Sequence, residues 1–219
     1  MLDGNEKSLL FIGILVAGFI SLASQSLAPD DGGPVQLDIA DLPALPAISS
    51  ADLAGAAPLQ LDLPAQTHRL TDDMQATLLY SYVLEGEVVS RRRFRGEQHN
   101  AVSPLDLGIV WGNFDTTGFE FTAGNRVLWS RPPRGAALPH DWDDHITNNH
   151  LLPATNAIRA DLMAVEVGQR VRIEGYLVEV TGDRLSPWRS STLRNDSSIG
   201  GGCEIILVRG VEILSDAAG

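Results

Sequence analysis

Three histidines and three aspartates lie within the eleven residues from His140 to His150. Imidazole nitrogens and carboxylate oxygens are ligands of zinc and other divalent metals. His140, Asp144, His145 and His150 are therefore candidate metal ligands, although their spacing does not match the His-Glu-x-x-His helix. The Asn-Asn-His-Leu-Leu-Pro-Ala run at residues 148–154 favours a structured turn that closes on apolar residues. The region leaves open structural hydrogen bonding, metal binding, and acid–base catalysis by His145 or His150.

A run of guanidinium groups, Arg91, Arg92, Arg93 and Arg95, follows an alternating segment at residues 80–89 that predicts a β-strand. Guanidinium groups bind carboxylates and phosphates in a planar, two-pronged geometry. The run is either a strand end that pairs with nearby acids, or an anion-binding patch for phospholipid headgroups, an acidic glycan or an acidic protein partner. Nucleic acid is not expected, because the chain carries a net charge of −12 and few aromatic residues.

The single cysteine, Cys203, is a third candidate for chemistry. A nucleophilic thiol needs neighbours that stabilise the thiolate, and none is apparent in the sequence around it. The strand phase of residues 203–214 groups Cys203 with Ile205 and Leu207. The sequence therefore predicts a buried, inert thiol, and one cysteine excludes an intramolecular disulfide.

The elements that position these groups are organised around residues 170–180. Apolar residues fall on odd numbers before Gly175 and mainly on even numbers after it. A strand changes phase in this way only where it bulges or bends, and glycine permits both. The sequence predicts a long strand bent at Gly175, as in small closed barrels. The similar Leu-Glu-Gly-Glu-Val-Val segment around Gly86 predicts an equivalent bend.

Further elements surround this strand. A short helix is predicted before it, capped at Thr155 or Asn156 and ended by Gly168, because apolar residues recur at helical spacing between the two. Residues 203–214 predict a buried central strand. Other candidate strands are residues 107–112, residues 126–131, and residues 187–196 pairing back on residues 170–180, with Trp111 and Trp129 packing in the core or at its rim.

The N-terminal part of the chain differs from the rest in composition. Residues 9–28 are uncharged and mostly apolar, which is long enough for a membrane-spanning helix. A cleaved signal peptide and a buried core helix are the alternatives. Lys7 precedes this segment while Asp30 and Asp31 follow it, so residues 1–8 are expected in the cytoplasm and the rest of the chain outside.

Residues 29–66 are rich in proline, alanine and aspartate and contain no aromatic residue. Proline holds the backbone extended and removes hydrogen-bond donors, so the segment predicts a disordered acidic tether. The alternative is that one of its Leu-Asp-Leu pieces docks on a partner, or on the chain's own domain, by adding a strand.

Several motifs together resemble a group of uncharacterised bacterial membrane-anchored proteins. They are the Gly86 strand, Asn148–Ala154, the Gly-Gln-Arg-Val strand start at residues 168–171, Trp188 to Ser191 with Arg194 and Asp196, and Cys203 with Glu204. The resemblance covers roughly residues 78–214, and it implies domain boundaries but no activity. Separately, the bent strand from Arg170 with a helix before it resembles oligonucleotide/oligosaccharide-binding (OB) barrels, which host many functions.

The sequence thus predicts a mainly β protein of the bacterial inner membrane, with residues 67–219 forming a periplasmic, OB-like barrel or half-barrel with one short helix. We expect a binding or scaffolding module of the cell envelope that needs no cofactor or catalytic residue. Its ligand face would include Arg91–Arg95 and the 140–150 loop, and its partner would be an envelope protein or an anionic ligand. The alternatives are a metal-assisted hydrolase that uses this loop with a divalent metal such as zinc, and a structural subunit of a membrane complex.

Overall fold

The computed structural model of the chain describes residues 35–96, 98–112, 115–183, 185–192 and 203–214, and these residues are mainly β. Among them, none of the helices combines the length and the apolar composition needed to cross a membrane. The predicted membrane span at residues 9–28 lies outside the described residues.

The described elements follow one another as short strands around three long ones. The strands are β1 Leu59–Asp62, β2 Thr67–Arg69, β3 Met74–Arg93, β4 Leu105–Val110, β5 Glu120–Gly124, β6 Val127–Arg131, β7 Ile146–Pro153, β8 Arg170–Gly182, β9 Leu185–Arg189 and β10 Cys203–Leu214. The helices are α1 Ser50–Leu53, α2 His99–Val102 and α3 Asn156–Ala164, with 3-10 turns at Ile39–Asp41 and Trp142–His145.

Eight strands form one sheet in the order β1-β3-β4-β7-β10-β8-β9, with β2 also paired to β3, and β5 and β6 form a separate hairpin. Because β3 pairs with both β4 and β8, the strands β3, β4, β7, β10 and β8 make a closed ring of pairings. In this ring β7 and β10 run parallel and the other neighbours run antiparallel. The length of β3 permits the closure, since residues 74–87 pair with β8 and residues 87–93 with β4.

The predicted change of phase at Gly175 is confirmed. The buried residues of β8 are Val171 and Ile173 before the glycine and Tyr176, Leu177, Val178 and Val180 after it. A Cβ at Gly175 would collide with the main chain of Leu207 in β10, and one at Gly86 with the main chain of Val110 in β4. Both glycines therefore lie where a neighbouring strand approaches too closely for a side chain.

Helix α3 begins where predicted but ends at Ala164, four residues before the predicted end at Gly168. The Thr155 hydroxyl accepts from the backbone N–H of Ile158 at 3.2 Å, which satisfies one of the free donors of the first turn. Ile158 and Leu162 are buried on its inner side, and Gly168 follows with a positive φ of 88°. The capping residue and the apolar spacing are sufficient to predict the start of this helix, because the same apolar residues are the ones that pack against the sheet.

The tether interpretation is wrong for residues 35–66, because this part of the segment packs on the sheet. β1 pairs with residues 80–83 of β3, so the alternative in which a Leu-Asp-Leu piece adds a strand is what the structure has. The buried side chains of this segment include Val35, Leu42 and Leu53. Enough apolar groups recur between its prolines to cover part of the sheet.

Polar contacts hold the same segment at two further points. The Tyr176 hydroxyl donates to the carbonyl of Pro43. Arg172 donates to the carbonyl of Ile48 at 2.7 Å and forms an ion pair with Glu85 at 3.1 Å. Residues 35–63 therefore form a strap across β8 and β3.

Most of the remaining strand predictions are confirmed with small shifts. β10 spans the predicted residues, β4 and β6 lie within two residues of their predicted bounds, and β9 pairs back on residues 179–182 of β8. Trp111 is buried as expected. Trp129 is instead 52% exposed, and its ring lies over Gly124 in the hairpin.

The β5–β6 hairpin packs on the face of β4 and β7 that carries Gly108. Leu128 from the hairpin forms a small apolar cluster with Val110 and Ile146. A Cβ at Gly108 would lie 2.7 Å from the Leu128 side chain, so the glycine makes room for the hairpin. This packing brings the turn of the hairpin over the middle of β4 and β7.

Candidate functional site

The predicted turn at residues 148–154 is wrong, because these residues form most of the wholly buried strand β7. Asparagine is disfavoured in strands, but burial is tolerated where the side chain finds partners. The Asn148 side-chain amide donates to the carbonyl of Arg126, and that of Asn149 donates to the carbonyl of Leu107, both at 3.1 Å. Long-range hydrogen bonds thus override the local turn propensity.

The next residue of β7 faces a carboxylate. His150 lies directly opposite Asp106 of β4, and the two are only 2% and 3% exposed. Nδ1 of His150 lies 2.9 Å from Oδ1 of Asp106, although the imidazole N–H is not aligned for a hydrogen bond. Oδ2 of Asp106 is buried and has no partner among the described residues.

Arg126 completes this pair from the turn of the β5–β6 hairpin. Its Nη1 donates to Oδ1 of Asp106 at 2.7 Å. Nη1 also donates to the hydroxyl of Ser103, and Nη2 donates to the carbonyl of Ser103 and to the side-chain oxygen of Asn100. Burial lowers the pKa of Arg126, and the charge of Asp106 opposes that shift. Both terminal nitrogens of the guanidinium thus donate to two acceptors each.

The backbone of Arg126 is strained. Its φ is 60° and that of Asn125 is 52°, in the left-handed region that favours glycine in hairpin turns. Such a conformation costs about 1 kcal/mol or more for a residue with a side chain. The contacts of the guanidinium offset this cost, so the side chain fastens the hairpin turn to the sheet.

Two aromatic rings enclose the guanidinium. Its central carbon lies 4.1 Å from the centre of the Phe94 ring and 5.2 Å from that of Trp188, distances typical of cation–π contacts. The Trp188 ring centre also lies 4.6 Å from that of His99 and 5.0 Å from that of His150. The half-buried Trp188 therefore joins helix α2, the strand β7 and the hairpin turn.

His99 is the second imidazole of this group. Burial lowers its pKa, and the nearby Arg126 and His150 lower it further. Its Nε2 is buried without a partner among the described residues. We call Phe94, His99, Asp106, Arg126, His150 and Trp188 together the Asp106–His150 site.

The site also gathers segments on which the sequence resemblance depends. Cys203 pairs with Asn148 across β10 and β7, and its half-buried Sγ lies 4.0 Å from the Arg126 carbonyl oxygen. The Ser190 hydroxyl accepts from the N–H of Ile205 at 3.0 Å. Arg194 and Asp196, which belong to the same motif, lie outside the described residues. Residues far apart in the sequence thus meet around one carboxylate.

The chemistry of the site follows from its unpaired atoms. Both terminal nitrogens of Arg126 are already occupied, and a phosphate or carboxylate would be repelled by the adjacent Asp106 oxygen. Oδ2 of Asp106 accepts hydrogen bonds, and leaving it unpaired costs about 1–3 kcal/mol. The site is therefore suited to a ligand that donates hydrogen bonds, such as one with hydroxyl or amino groups.

The candidate metal ligands from the sequence are not brought together as one group. His140 is exposed with Nδ1 3.7 Å from Asp141, and the half-buried His145 has Nε2 3.6 Å from the same carboxylate. Asp144 lies in the 3-10 turn before β7, and His150 faces Asp106 instead. Across the described ranges, no three His, Cys, Asp or Glu side chains are placed to hold a metal ion.

Arg91, Arg92 and Arg93 donate to carbonyl oxygens rather than to the acids that the strand-end interpretation expected. Arg91 and Arg93 both donate to the carbonyl of Met163 in the last turn of α3, at 2.8 and 3.0 Å. Arg92 points to the other side of β3 and donates to the carbonyl of Ala123 at 2.8 Å. Arg95 is exposed. Arg91 and Arg93 therefore contact helix α3, whereas Arg92 contacts the β5–β6 hairpin on the other side of β3.

Sequence reasoning found His150 but missed His99, Asp106, Arg126 and Trp188 as site residues. One signal was available, because Asp106 is the single charged residue in the apolar segment 105–111. A carboxylate in a buried strand needs a partner, and this points to a polar site. The sequence does not show which arginine or histidine supplies that partner.

Comparison of the chain with models of known protein families, with curated proteins and with solved structures finds no match. The function therefore has to be argued from the site itself.

Proposed function

We propose that this chain is a membrane-anchored, extracytoplasmic binding module of the bacterial cell envelope, with its ligand at the Asp106–His150 site. The observation that carries the proposal is the unpaired Oδ2 of Asp106, in a side chain that is almost fully buried. Buried carboxylate oxygens are nearly always paired with a protein group, a water or a ligand. A donor group of a ligand supplies the missing hydrogen bond.

The strand order supports an OB-type barrel as the scaffold. In the ring of five strands, the last strand in the chain, β10, inserts between the third and the fourth, β7 and β8, as a Greek-key connection does. OB barrels bind ligands on the face of their second and third strands, beside the loops that follow the first and fourth. The corresponding strands here are β4 and β7, which carry Asp106 and His150.

The membrane anchor is supported by residues 9–28, whose uncharged length suits a bilayer span. Lys7 before it and Asp30 after it favour a cytoplasmic N-terminus and a periplasmic domain. Val35 is already buried against the sheet, so the folded domain begins close to the anchor.

The test is site-specific photocrosslinking in the bacterial cells that make the protein, because a photoreactive side chain captures whatever molecule occupies the site. A photoreactive residue replaces His99 inside the site or, as the control, the exposed Leu61 on β1. We expect a light-dependent adduct from position 99 and none from position 61. Asp106→Asn should abolish the adduct, because the amide nitrogen replaces an acceptor with a donor. Adducts of equal yield from wild type and Asp106→Asn, or none from position 99, would contradict the proposal.

A second candidate is an acid–base enzyme that uses His150. The close approach of Asp106 favours it, because a buried carboxylate beside an imidazole orients the ring in many hydrolytic sites. The same experiment separates the two functions. If the chain is an enzyme, His150→Gln should abolish the cellular phenotype that depends on the protein. The adduct at position 99 should then persist or increase, since bound substrate is no longer converted.

A further inference from the structure

The C-terminal end of α3 carries a concentration of positive charge. Arg91 and Arg93 converge there on the single carbonyl oxygen of Met163. Neither forms an ion pair within the described part of the chain, and Nε of Arg91 is buried without a partner there. Burial and the neighbouring charge of Arg93 lower the pKa of Arg91, and Glu166 opposes the shift. Apart from the bonds to Met163 and the buried Nε of Arg91, the N–H groups of these two side chains have no acceptor among the described residues.

Two exposed large apolar side chains lie on segments that meet near the C-terminal end of α3. Val167, 57% exposed, is in the loop that follows α3, and this loop is bonded to β3 at Val88 through Gly168. Ile213, 43% exposed, lines a shallow groove with Val211 and with Asp161 and Ala164 of α3, so the groove also carries one carboxylate. Exposed apolar groups next to guanidinium groups are typical of surfaces that contact the membrane interface.

The other end of α3 is where the described chain begins. The Leu37 N–H donates to the carbonyl of Ala154 at 2.9 Å, directly before the helix. The six residues 29–34 separate the predicted anchor from Val35, and an extended chain of that length reaches about 20 Å. The helix itself is about 14 Å long. If residues 9–28 span the bilayer, residues 29–34 are therefore long enough for any part of α3 to contact the bilayer surface.

We propose that the α3 surface, formed by Arg91, Arg93, Val167 and Ile213, rests on the bilayer in which the chain is anchored. The two guanidinium groups bind the phosphates of anionic phospholipids, for which their paired donors are suited. Val167 and Ile213 enter the headgroup region. The proposal rests on the membrane anchor of the proposed function, and it orients the Asp106–His150 site relative to the membrane.

The experiment uses the full chain reconstituted in vesicles of phosphatidylcholine, with or without phosphatidylglycerol. A fluorophore is attached at Val167→Cys in a Cys203→Ser background, and spin-labelled lipids report contact by quenching. The control label is at Asp183→Cys, at the opposite end of β8 and about 40 Å along the strand from Arg170. Thermal melts of each labelled protein confirm that it is folded.

We expect quenching at position 167 in the anionic vesicles and little at position 183. Each arginine near an anionic surface contributes about fivefold to the binding constant. Arg91→Gln and Arg93→Gln should therefore each weaken the docked state by about that factor in the anionic vesicles. Arg92→Gln is the matched control, because its side chain points to the hairpin on the other side of β3 and should change nothing.

The possible outcomes distinguish docking of the α3 surface on the bilayer from insertion of residues 9–28 as an anchor. A chain that floats with the vesicles after alkaline extraction but shows equal quenching at positions 167 and 183 overturns the docking proposal and leaves the anchor intact. Quenching that is unchanged by Arg91→Gln and Arg93→Gln overturns the role of the phosphates. A chain that does not float overturns both the docking and the anchor.

Discussion

At the scale of single residues, Arg126 shows how one side chain can decide a backbone conformation. Its left-handed turn position suits glycine, while its guanidinium joins Asp106, Ser103 and Asn100. The residue is kept because the side-chain contacts are worth more than the backbone strain. Substitution can separate the contribution of the side-chain contacts to stability from the cost of the left-handed backbone.

We predict that Arg126→Ala lowers the free energy of unfolding by about 3 kcal/mol, because it leaves the buried Asp106 carboxylate without its cation. Arg126→Gly removes the same contacts but relieves the left-handed strain, so it should cost about 1 kcal/mol less than alanine. Urea unfolding of both variants measures the difference. If the two are equally destabilised, the turn is not strained.

His99 predicts a dependence of stability on pH. Burial, Arg126 and His150 lower its pKa in the folded chain below the usual 6.5. The unfolded chain therefore takes up a proton first as the pH falls. The contribution of His99 to stability is complete above pH 6.5 and is lost as the pH falls from there through the lowered pKa of the folded state.

We expect the wild-type unfolding midpoint in urea to decrease below pH 6.5 and the decrease to be smaller in His99→Phe, which cannot take up the proton. At neutral pH the phenyl ring loses the hydrogen bond to the Ser186 backbone but also removes an unpaired buried nitrogen, so stability should change by about 1 kcal/mol or less. The control is His140→Gln, whose side chain is exposed. Parallel pH profiles for wild type and His99→Phe would show that another group is responsible.

At the scale of elements, glycines stand where neighbouring strands of the ring approach too closely for a side chain. Gly175 and Gly210 lie in the same pair of strands, β8 and β10, but differ in surroundings. The main chain of Leu207 occupies the place of a Cβ at Gly175, whereas the nearest atom to a Cβ at Gly210 is in the Glu174 side chain, 3.8 Å away.

Gly175→Ala should therefore lower the free energy of unfolding by about 3 kcal/mol or prevent folding, because a backbone cannot move aside as a side chain can. Gly210→Ala should change stability by about 0.5 kcal/mol or less. Comparison of the two melting temperatures tests the account. Similar melting temperatures for both variants would mean that the main chain of β10 leaves room for a methyl group at Gly175.

At the scale of the whole molecule, the strap of residues 35–63 extends the folded body well before the boundary at residue 67 that composition predicts. Leu53 is buried in this strap, while Leu61 on the edge strand β1 is exposed. The same substitution at the two positions distinguishes a packed segment from a tether.

Leu53→Ala should lower the free energy of unfolding by about 2–4 kcal/mol, as truncation of a buried leucine does. Leu61→Ala should stay within about 0.5 kcal/mol of the wild type. Chemical denaturation of the two variants measures both values. A tether would leave the two variants equally stable.

The sequence by itself determined the elements whose causes are local. The cap at Thr155 and the apolar spacing predicted the start of α3, and the alternation of apolar residues predicted the change of phase at Gly175, since both signals involve residues a few positions apart. It failed at β7, where hydrogen bonds from distant residues override the turn propensity of Asn148 and Asn149. Local signals do not contain those partners.

Only the tertiary structure decided the site and the strap. The strand register sets Asp106 opposite His150, and the hairpin packing carries Arg126 to the same oxygen, although these residues are far apart in the chain. The strap is held by burial against β3 and β8, which a proline-rich composition does not reveal. Both depend on which surfaces meet after folding, because burial and charge pairing are properties of assembled neighbours rather than of a segment.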